Sequence, residues 1–295
     1  MRLKYYTKPN FGDALNPIIF NKLLPGFFDE DPARDFFGIG SILGLPMVKK
    51  ANKKIIFSSG FAYGNLPKLD SSYDIISVRG PLSAKALKID QKLGIVDGAL
   101  LLREFDFEKV DKIYDFSFMP HWESELRYPW KQLCDEAGIH YVSPTANPHF
   151  IMDEILKSKC VIAEAMHFAI VADTLRVPWI SVKSYSSISD FKWRDWTTSL
   201  NMNFDPIPLA GLYSPEVVKA FLQRKGPVNI LNPVYGAIAS IRAGYEHVFL
   251  KKRVIEGFEK AKKSDPQLSS DSLFNSKVDN LMDRLNFVEQ KYRKN

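Results

Sequence analysis

The sequence predicts an α/β protein made of two doubly wound, Rossmann-like sheets facing one cleft, with helices at the C-terminus. Two observations carry that prediction. Short β-prone runs alternate with helix-compatible segments from Arg2 to Trp196, and the pattern restarts at Tyr114 after a charged passage, REFDFEKVDK, at 103–112. The chain has 295 residues, enough for about two domains. The expected division is an α/β unit over 1–110, a second over 111–210 and a helical extension over 211–295. Hydrophobic residues make up 45%, which supports a real core, and the formal net charge of +6 favours anionic partners. Cys134 and Cys160 are the only cysteines and lack C-x-x-C spacing, so neither a zinc site nor a disulfide framework is indicated. A polar N-terminus (MRLKYYTKPNFGDALN) and the lack of any 18-residue apolar run read as a cytosolic chain.

The first half opens with a strand near Arg2–Tyr6, then Asn10-Phe11-Gly12-Asp13, then an amphipathic stretch from Pro17 to Leu24. Strand, glycine turn and helix form the layout of a ligand loop. Gly12 admits close backbone approach, and Asn10 and Asp13 offer hydrogen bonds to hydroxyls; a simple helix N-cap accounts for the same residues. Further strands are expected at Asp35–Ile42, Lys54–Ser58 and Tyr73–Val78. The last runs into Arg79-Gly80-Pro81 and a helix from Leu82 to Leu87, with Pro81 suited to a first turn. That puts Arg79 at the carboxyl end of a strand, where it binds an anion or is merely solvated. Val96–Leu102 leads from strand or loop into an apolar helical turn.

In the second half, Tyr114–Met119 is a strand ending at Pro120-His121-Trp122, which makes His121 a strand-end histidine. Tyr128–Ala137 and Asn147–Ser158 read as helices around a strand at Tyr141–Ser143. Then comes VIAEAMHFAIVADTLRVPWI at 161–180, a βαβ unit whose helix begins at His167. Unpaired N–H groups and partial positive charge make a helix start a seat for an anion. A histidine there binds phosphate, moves a proton or caps the helix. Phe191-Lys192-Trp193-Arg194-Asp195-Trp196 adds two cations among aromatics just past the next strand. His140, His149 and His247 have no supporting context and read as structural or solvated.

Beyond Trp196, Ser214–Leu222 opens as a helix, Gly226–Pro233 is a turn, and Ile241–Lys263 is a long helix. Ile241, Tyr245, Val248, Ile255 and Phe258 fall on one face of it, opposite a basic surface that includes Lys251, Lys252 and Arg253. Such a helix lies on an anionic membrane face or docks on the α/β body. Phe274, Val278, Leu281, Leu285, Val288 and Tyr292 keep a heptad rhythm, which packs on the body or pairs two chains as a homodimer.

An ordered set of short motifs resembles one family. Asn10-x-Gly12-Asp13, Val78-Arg79-Gly80-Pro81-Leu82, Asp97-x-Ala99-Leu100-Leu101, Pro120-His121, Met166-His167 with Ile170-Val171-Ala172, and Phe191-Lys192 follow the order seen in polysaccharide pyruvyl transferases, most closely the exopolysaccharide branch. The resemblance covers roughly residues 5–200. It implies a GT-B-like pair of domains and transfer of the enolpyruvyl portion of phosphoenolpyruvate to two hydroxyls of a sugar, giving a pyruvate ketal and phosphate. It places Arg79, His167 and Lys192 at donor positions, with Met166 beside them. Phosphoenolpyruvate carries a carboxylate and a phosphate, which Arg79, Lys192, Arg194 and a helix start can neutralise. His167 is then the general acid that protonates the enol carbon. Asn10, Gly12, Asp13 and His121 fall to the acceptor, a glycan or its lipid-linked precursor. No cofactor or metal is called for, since the donor is a substrate and no carboxylate–histidine cluster has ligand spacing. A glycosyltransferase using a nucleotide sugar on the same architecture is the alternative. A nucleic-acid partner is not expected, because cations and aromatics do not interleave along one element.

Overall fold

The computed structural model describes residues 1–50, 52–214 and 249–293. The first sheet contains β1 (Arg2–Leu3), β2 (Arg34–Phe37), β3 (Lys53–Ile56) and β4 (Tyr73–Ile75), all parallel and in sequence order. The second contains β5 (Tyr114–Met119), β6 (His140–Tyr141), β7 (Ser158–Ala163), β8 (Trp179–Lys183) and β9 (Ile207–Pro208). It is also parallel, in the order β6-β5-β7-β8-β9. Helices lie between most of the strands, though none lies between β3 and β4: α1 (Phe11–Leu23), α2 (Pro46–Lys49), α3 (Pro81–Leu87), α4 (Trp122–Arg127), α5 (Lys131–Glu136), α6 (Pro148–Leu156), α7 (Met166–Thr174) and α8 (Asp190–Ser199).

Two parallel α/β sheets agree with the expected class, but the winding differs from expectation. In the second sheet the order reverses between β5 and β7, so it is doubly wound and has a topological switch point there. In the first, each strand adds on the same side and the order never reverses. Alternation of strand and helix specifies parallel pairing. It does not specify the side of the sheet on which each crossover lands.

Local chemistry explains how the elements frame the cleft. Helix α1 starts at Phe11, earlier than the sequence suggests, because Asn10 caps it: the Asn10 side chain accepts the Gly12 N–H at 3.3 Å. Pro17 lies inside this helix and cannot donate to the Asp13 carbonyl four residues back. The buried Asn16 carboxamide donates to that carbonyl instead, at 2.9 Å. It also exchanges two hydrogen bonds with the Ile39 backbone, at 2.8 and 3.0 Å. One side chain thus repairs the proline gap and ties α1 to the loop after β2. Strand β4 ends at Ile75, short of the expected Val78; Val78 instead bonds the backbone of Leu93 and Ile95.

The largest core is continuous across both halves. Phe11, Leu15 and Phe20 of α1 share it with Ile170 and Val171 of α7 and with Trp193 and Trp196 of α8. The heptad stretch forms α10 (Asp271–Tyr292) and lays Phe274, Val278, Leu281, Leu285 and Val288 into this same core. Its apolar seam is covered by its own chain, so it is not a seam for pairing two chains. Surface bonds hold it there: Arg284 donates to the Ile76 carbonyl, and Lys291 and Tyr292 reach Asp74. A helix over 249–262 (α9) buries Val254, Phe258 and Ala261 against Phe118 and Trp130. The described part of that apolar face thus packs on the α/β body. Lys252 and Arg253 are exposed beside it. The readings at Leu222, Gly226–Pro233, Ile241, Tyr245, His247 and Val248 lie outside the described residues. Among the described residues no helix is long and apolar enough to cross a membrane.

Candidate active site

Three helix starts converge where the two sheets meet. Strand β5 ends at Met119 and the chain turns through Pro120 to His121, the cap residue of α4. Strand β7 ends at Ala163 and turns through Glu164 and Ala165 into α7, whose first residues are Met166 and His167. These two turns flank the switch point of the second sheet, where open parallel sheets bind ligands. The first turn of α1 comes to the same place from the other half. A cavity forms between them, lined by Asn10, Gly12, Asp13, His121, Met166, His167 and Lys192, with Tyr6, Ser41, Tyr63, Trp122 and Glu123 completing its walls.

Every sequence-predicted site residue except Arg79 and Arg194 thus reaches this cavity. Arg194 does not, because α8 is a helix: residues two apart point about 200° apart around its axis. Lys192 and Asp195, three apart, face inward, while Arg194 is exposed and lies 5.6 Å over the Phe204 ring. The two cations that look adjacent in sequence therefore serve different surfaces. Arg79 is fully buried behind the cavity wall. Its guanidinium donates to Asp195 at 3.1 Å, to Ser41 Oγ at 2.6 Å and to the Phe61 carbonyl at 2.9 Å. Asp195 also accepts the Ser83 N–H and hydroxyl, filling the N-terminus of α3, which has no side-chain cap of its own. Arg79 reaches the cavity only through Ser41, and its buried pair with Asp195 joins the two halves.

The charges that do line the cavity are poorly compensated. Burial pushes the Asp13 carboxyl up to about 6, against the pull of His167, Lys192 and Asn10. Burial, then the nearby Arg79, brings the Lys192 ammonium down to about 8. Its Nζ donates to Tyr63 Oη at 3.2 Å and lies 3.3 Å from His121 Nε2. Burial, with Lys192 and Arg127 nearby, holds His121 well below its ordinary value, so the ring is neutral at pH 7. A neutral imidazole has one acceptor nitrogen. Two donors approach this one: Lys192 at Nε2, and the Glu123 N–H at Nδ1, 3.4 Å away. The Lys192 ammonium is therefore short of acceptors and is available to an anion.

The helix termini differ in the same sense. The start of α1 is already occupied by Asn10 and by Asp13 in its first turn. The start of α7 has no side-chain cap. An anion suits the second and hydroxyl groups suit the first. The two are in contact: a Cβ on Gly12 would sit 2.0 Å from Nδ1 of His167, so the absence of a side chain at residue 12 makes room for the ring. Among the described residues no group of three or more His, Cys, Asp or Glu side chains could hold a metal ion.

Several contributors escape the sequence reading. Asp97 caps the short helical turn Gly98–Glu104 and places its carboxylate 3.6 Å from His167. Burial alone would raise that carboxyl, but His167, Arg79 and the Ala99 N–H outweigh it and hold it below the ordinary range. Glu164, fully buried, accepts N–H groups from His121 at 2.9 Å and Ser184 at 2.7 Å, bracing the ends of β5, β7 and β8. A carboxylate directly after an apolar strand is the signal that could have identified it. Tyr63 is legible only as the aromatic inside a glycine-bracketed turn, Gly60–Gly64.

A pair of parallel α/β sheets with a charged, histidine-bearing cavity at a switch point defines a ligand-binding α/β protein of the strand-end type. The model of the family described as polysaccharide pyruvyl transferase matches residues 10–187, and the chain belongs to that family. It is 40% identical over 200 residues, 67% of this chain, to the succinoglycan biosynthesis protein ExoV of Rhizobium meliloti (strain 1021); the match spans 63% of that relative's length. No solved structure matches the chain significantly.

Proposed function

We propose that the protein transfers pyruvate from phosphoenolpyruvate to a sugar of a bacterial cell-surface polysaccharide or its lipid-linked precursor, forming a ketal and releasing phosphate. The observation that carries this reading is the pairing of helix termini at one cavity. The uncapped start of α7, with His167 and Lys192, suits a small dianion, while the capped, acidic start of α1 suits sugar hydroxyls. Membership of the pyruvyl transferase family supports the donor, and the succinoglycan relative supports an exopolysaccharide acceptor. The arrangement of two parallel sheets around a shared cavity is compatible with a GT-B-like plan, residues 1–110 serving the acceptor and 111–210 the donor.

In this scheme Lys192 and the α7 N–H groups hold the donor's negative charge. His167 delivers a proton to the enol carbon, which leaves positive charge at the carbon bearing the phosphate oxygen. One acceptor hydroxyl adds there and gives up its proton to Asp13, which is ionised at pH 7. Phosphate departs with its C–O bonding pair, and the second hydroxyl adds to the resulting cation and closes the ketal as its proton passes to the neutral His167. Trp122 and Tyr6 supply apolar faces on which a sugar ring can rest.

Phosphate release that requires both phosphoenolpyruvate and glycan, with a product heavier by one pyruvate ketal in mass spectrometry, is the expected result. Release of nucleotide from a nucleotide sugar would select a glycosyltransferase instead. His167→Asn should lower turnover by about two orders of magnitude or more with the fold intact; near-normal turnover in that variant would remove His167 from the chemistry.

A further inference from the structure

The two ring nitrogens of His167 have different surroundings. Nε2 is shut off from solvent and has no hydrogen-bond partner. Facing it at 3.6 Å is Asp97 Oδ2, which is also buried and also without a hydrogen-bond partner. Buried polar atoms are nearly always paired, so two unpartnered atoms of opposite character facing each other mark a contact ready to close. The other Asp97 oxygen, Oδ1, accepts the Ala99 N–H at 3.0 Å. The carboxylate is thus anchored by one oxygen and aims the other at the ring. The remaining buried carboxylates near the site behave differently. Both oxygens of Glu164 accept backbone N–H groups. Asp195 is saturated by Arg79 and Ser83. The other ring nitrogen, Nδ1, lies beside Gly12, which lines the cavity together with His167.

We propose that Asp97 is the positioning residue for His167: it takes the Nε2–H, so that Nδ1 is the nitrogen that passes its proton to the substrate. The inference rests on the proposed role of His167 as proton donor. Before transfer, the protonated ring carries one hydrogen on each nitrogen and pairs with the Asp97 carboxylate. Afterwards the enol carbon has gained the Nδ1 proton, the ring is neutral with its hydrogen on Nε2, and Asp97 is still ionised. No proton moves to Asp97; it fixes which tautomer remains and holds the ring plane.

Asp97→Asn separates this role from the cap, because its carboxamide oxygen can still accept the Ala99 N–H while its NH2 faces Nε2. Turnover should fall about 100-fold or more, while KM for phosphoenolpyruvate changes less than about 3-fold and the thermal midpoint is nearly kept. Nitrogen-15 spectra of the neutral ring should show hydrogen on Nε2 in the natural protein and on Nδ1 in the variant. Asp97→Ala, which also loses the cap, should be as slow as Asp97→Asn and less stable. The proposal is overturned if Asp97→Asn turns over normally with its Nε2–H unchanged while Asp97→Ala alone is impaired, which would leave Asp97 a cap and nothing more. Should the natural protein transfer no pyruvate at all, the proposed reaction fails by itself, and the tautomer measurement still decides the pairing.

Discussion

Two sets of buried charge join the halves of this molecule, and they are finished to different degrees. Arg79 and Asp195 form a pair with no solvent exposure, each satisfied by further partners from Ser41, Phe61 and Ser83. Asp13 and Lys192 lie nearby on the cavity wall, each pushed toward its neutral form by burial. The first set is closed and acts as a rivet. The second is left open at a cost in stability, as expected of a site that completes its charge balance by binding something.

The largest effect should come from breaking the rivet. Arg79→Met strands Asp195 in the core and should cost about 3–5 kcal/mol in denaturant unfolding. If this variant instead unfolds like the natural protein and only KM for phosphoenolpyruvate rises, Arg79 is a donor ligand and the comparison collapses.

Opening the second set further should do the reverse. Lys192→Met should gain stability on the order of 3 kcal/mol at neutral pH and lose affinity for phosphoenolpyruvate. The folded Lys192 value lies below its unfolded one, so the unfolded chain binds more protons between about 8 and 10.5. The gain is therefore full below about pH 8 and gone above 10.5. Asp13→Asn should gain on the order of 2–3 kcal/mol by the mirror argument. Its folded value is raised, so the penalty it removes is full above about pH 6 and absent below 3.8. Its acceptor KM should rise more than its donor KM. Thermal unfolding across pH tests both variants, and a loss of stability at pH 7 in either would show that the cavity charges are structural.

Gly12→Ala sharpens the comparison without touching a charge. Its Cβ must displace the His167 ring, so turnover should drop about 100-fold with little change in unfolding free energy. The smallest effect belongs to Arg194→Ala. That side chain is exposed and away from the cavity, and stability should move by less than about 0.5 kcal/mol with turnover unchanged. A rise in donor KM there would return Arg194 to the site.

Much of this was legible in the sequence. Apolar β-prone runs located β7 and β8, because strands buried on both faces need near-continuous hydrophobic residues. The βαβ unit put His167 in the first turn of α7, and a strand-end position put His121 at the cavity. Periodicity also picked out the buried face of α10.

What tertiary structure alone decided are the facts that depend on distant partners. Arg79 and Asp195 stand 116 positions apart, and nothing local marks one as the other's partner. Lys192 and Arg194 separate only once α8 is known to be a helix and its inner face is known. The heptad of α10 suits a coiled coil and a docked helix equally, since both bury one apolar stripe; packing on its own chain chose between them. Asp97 is only one residue of a short motif in the sequence until folding carries the start of α7 to within 3.6 Å of it. Residue types and spacing determine which groups can do chemistry. Which of them are satisfied, and which are left facing a cavity, depends on how the two sheets close on each other.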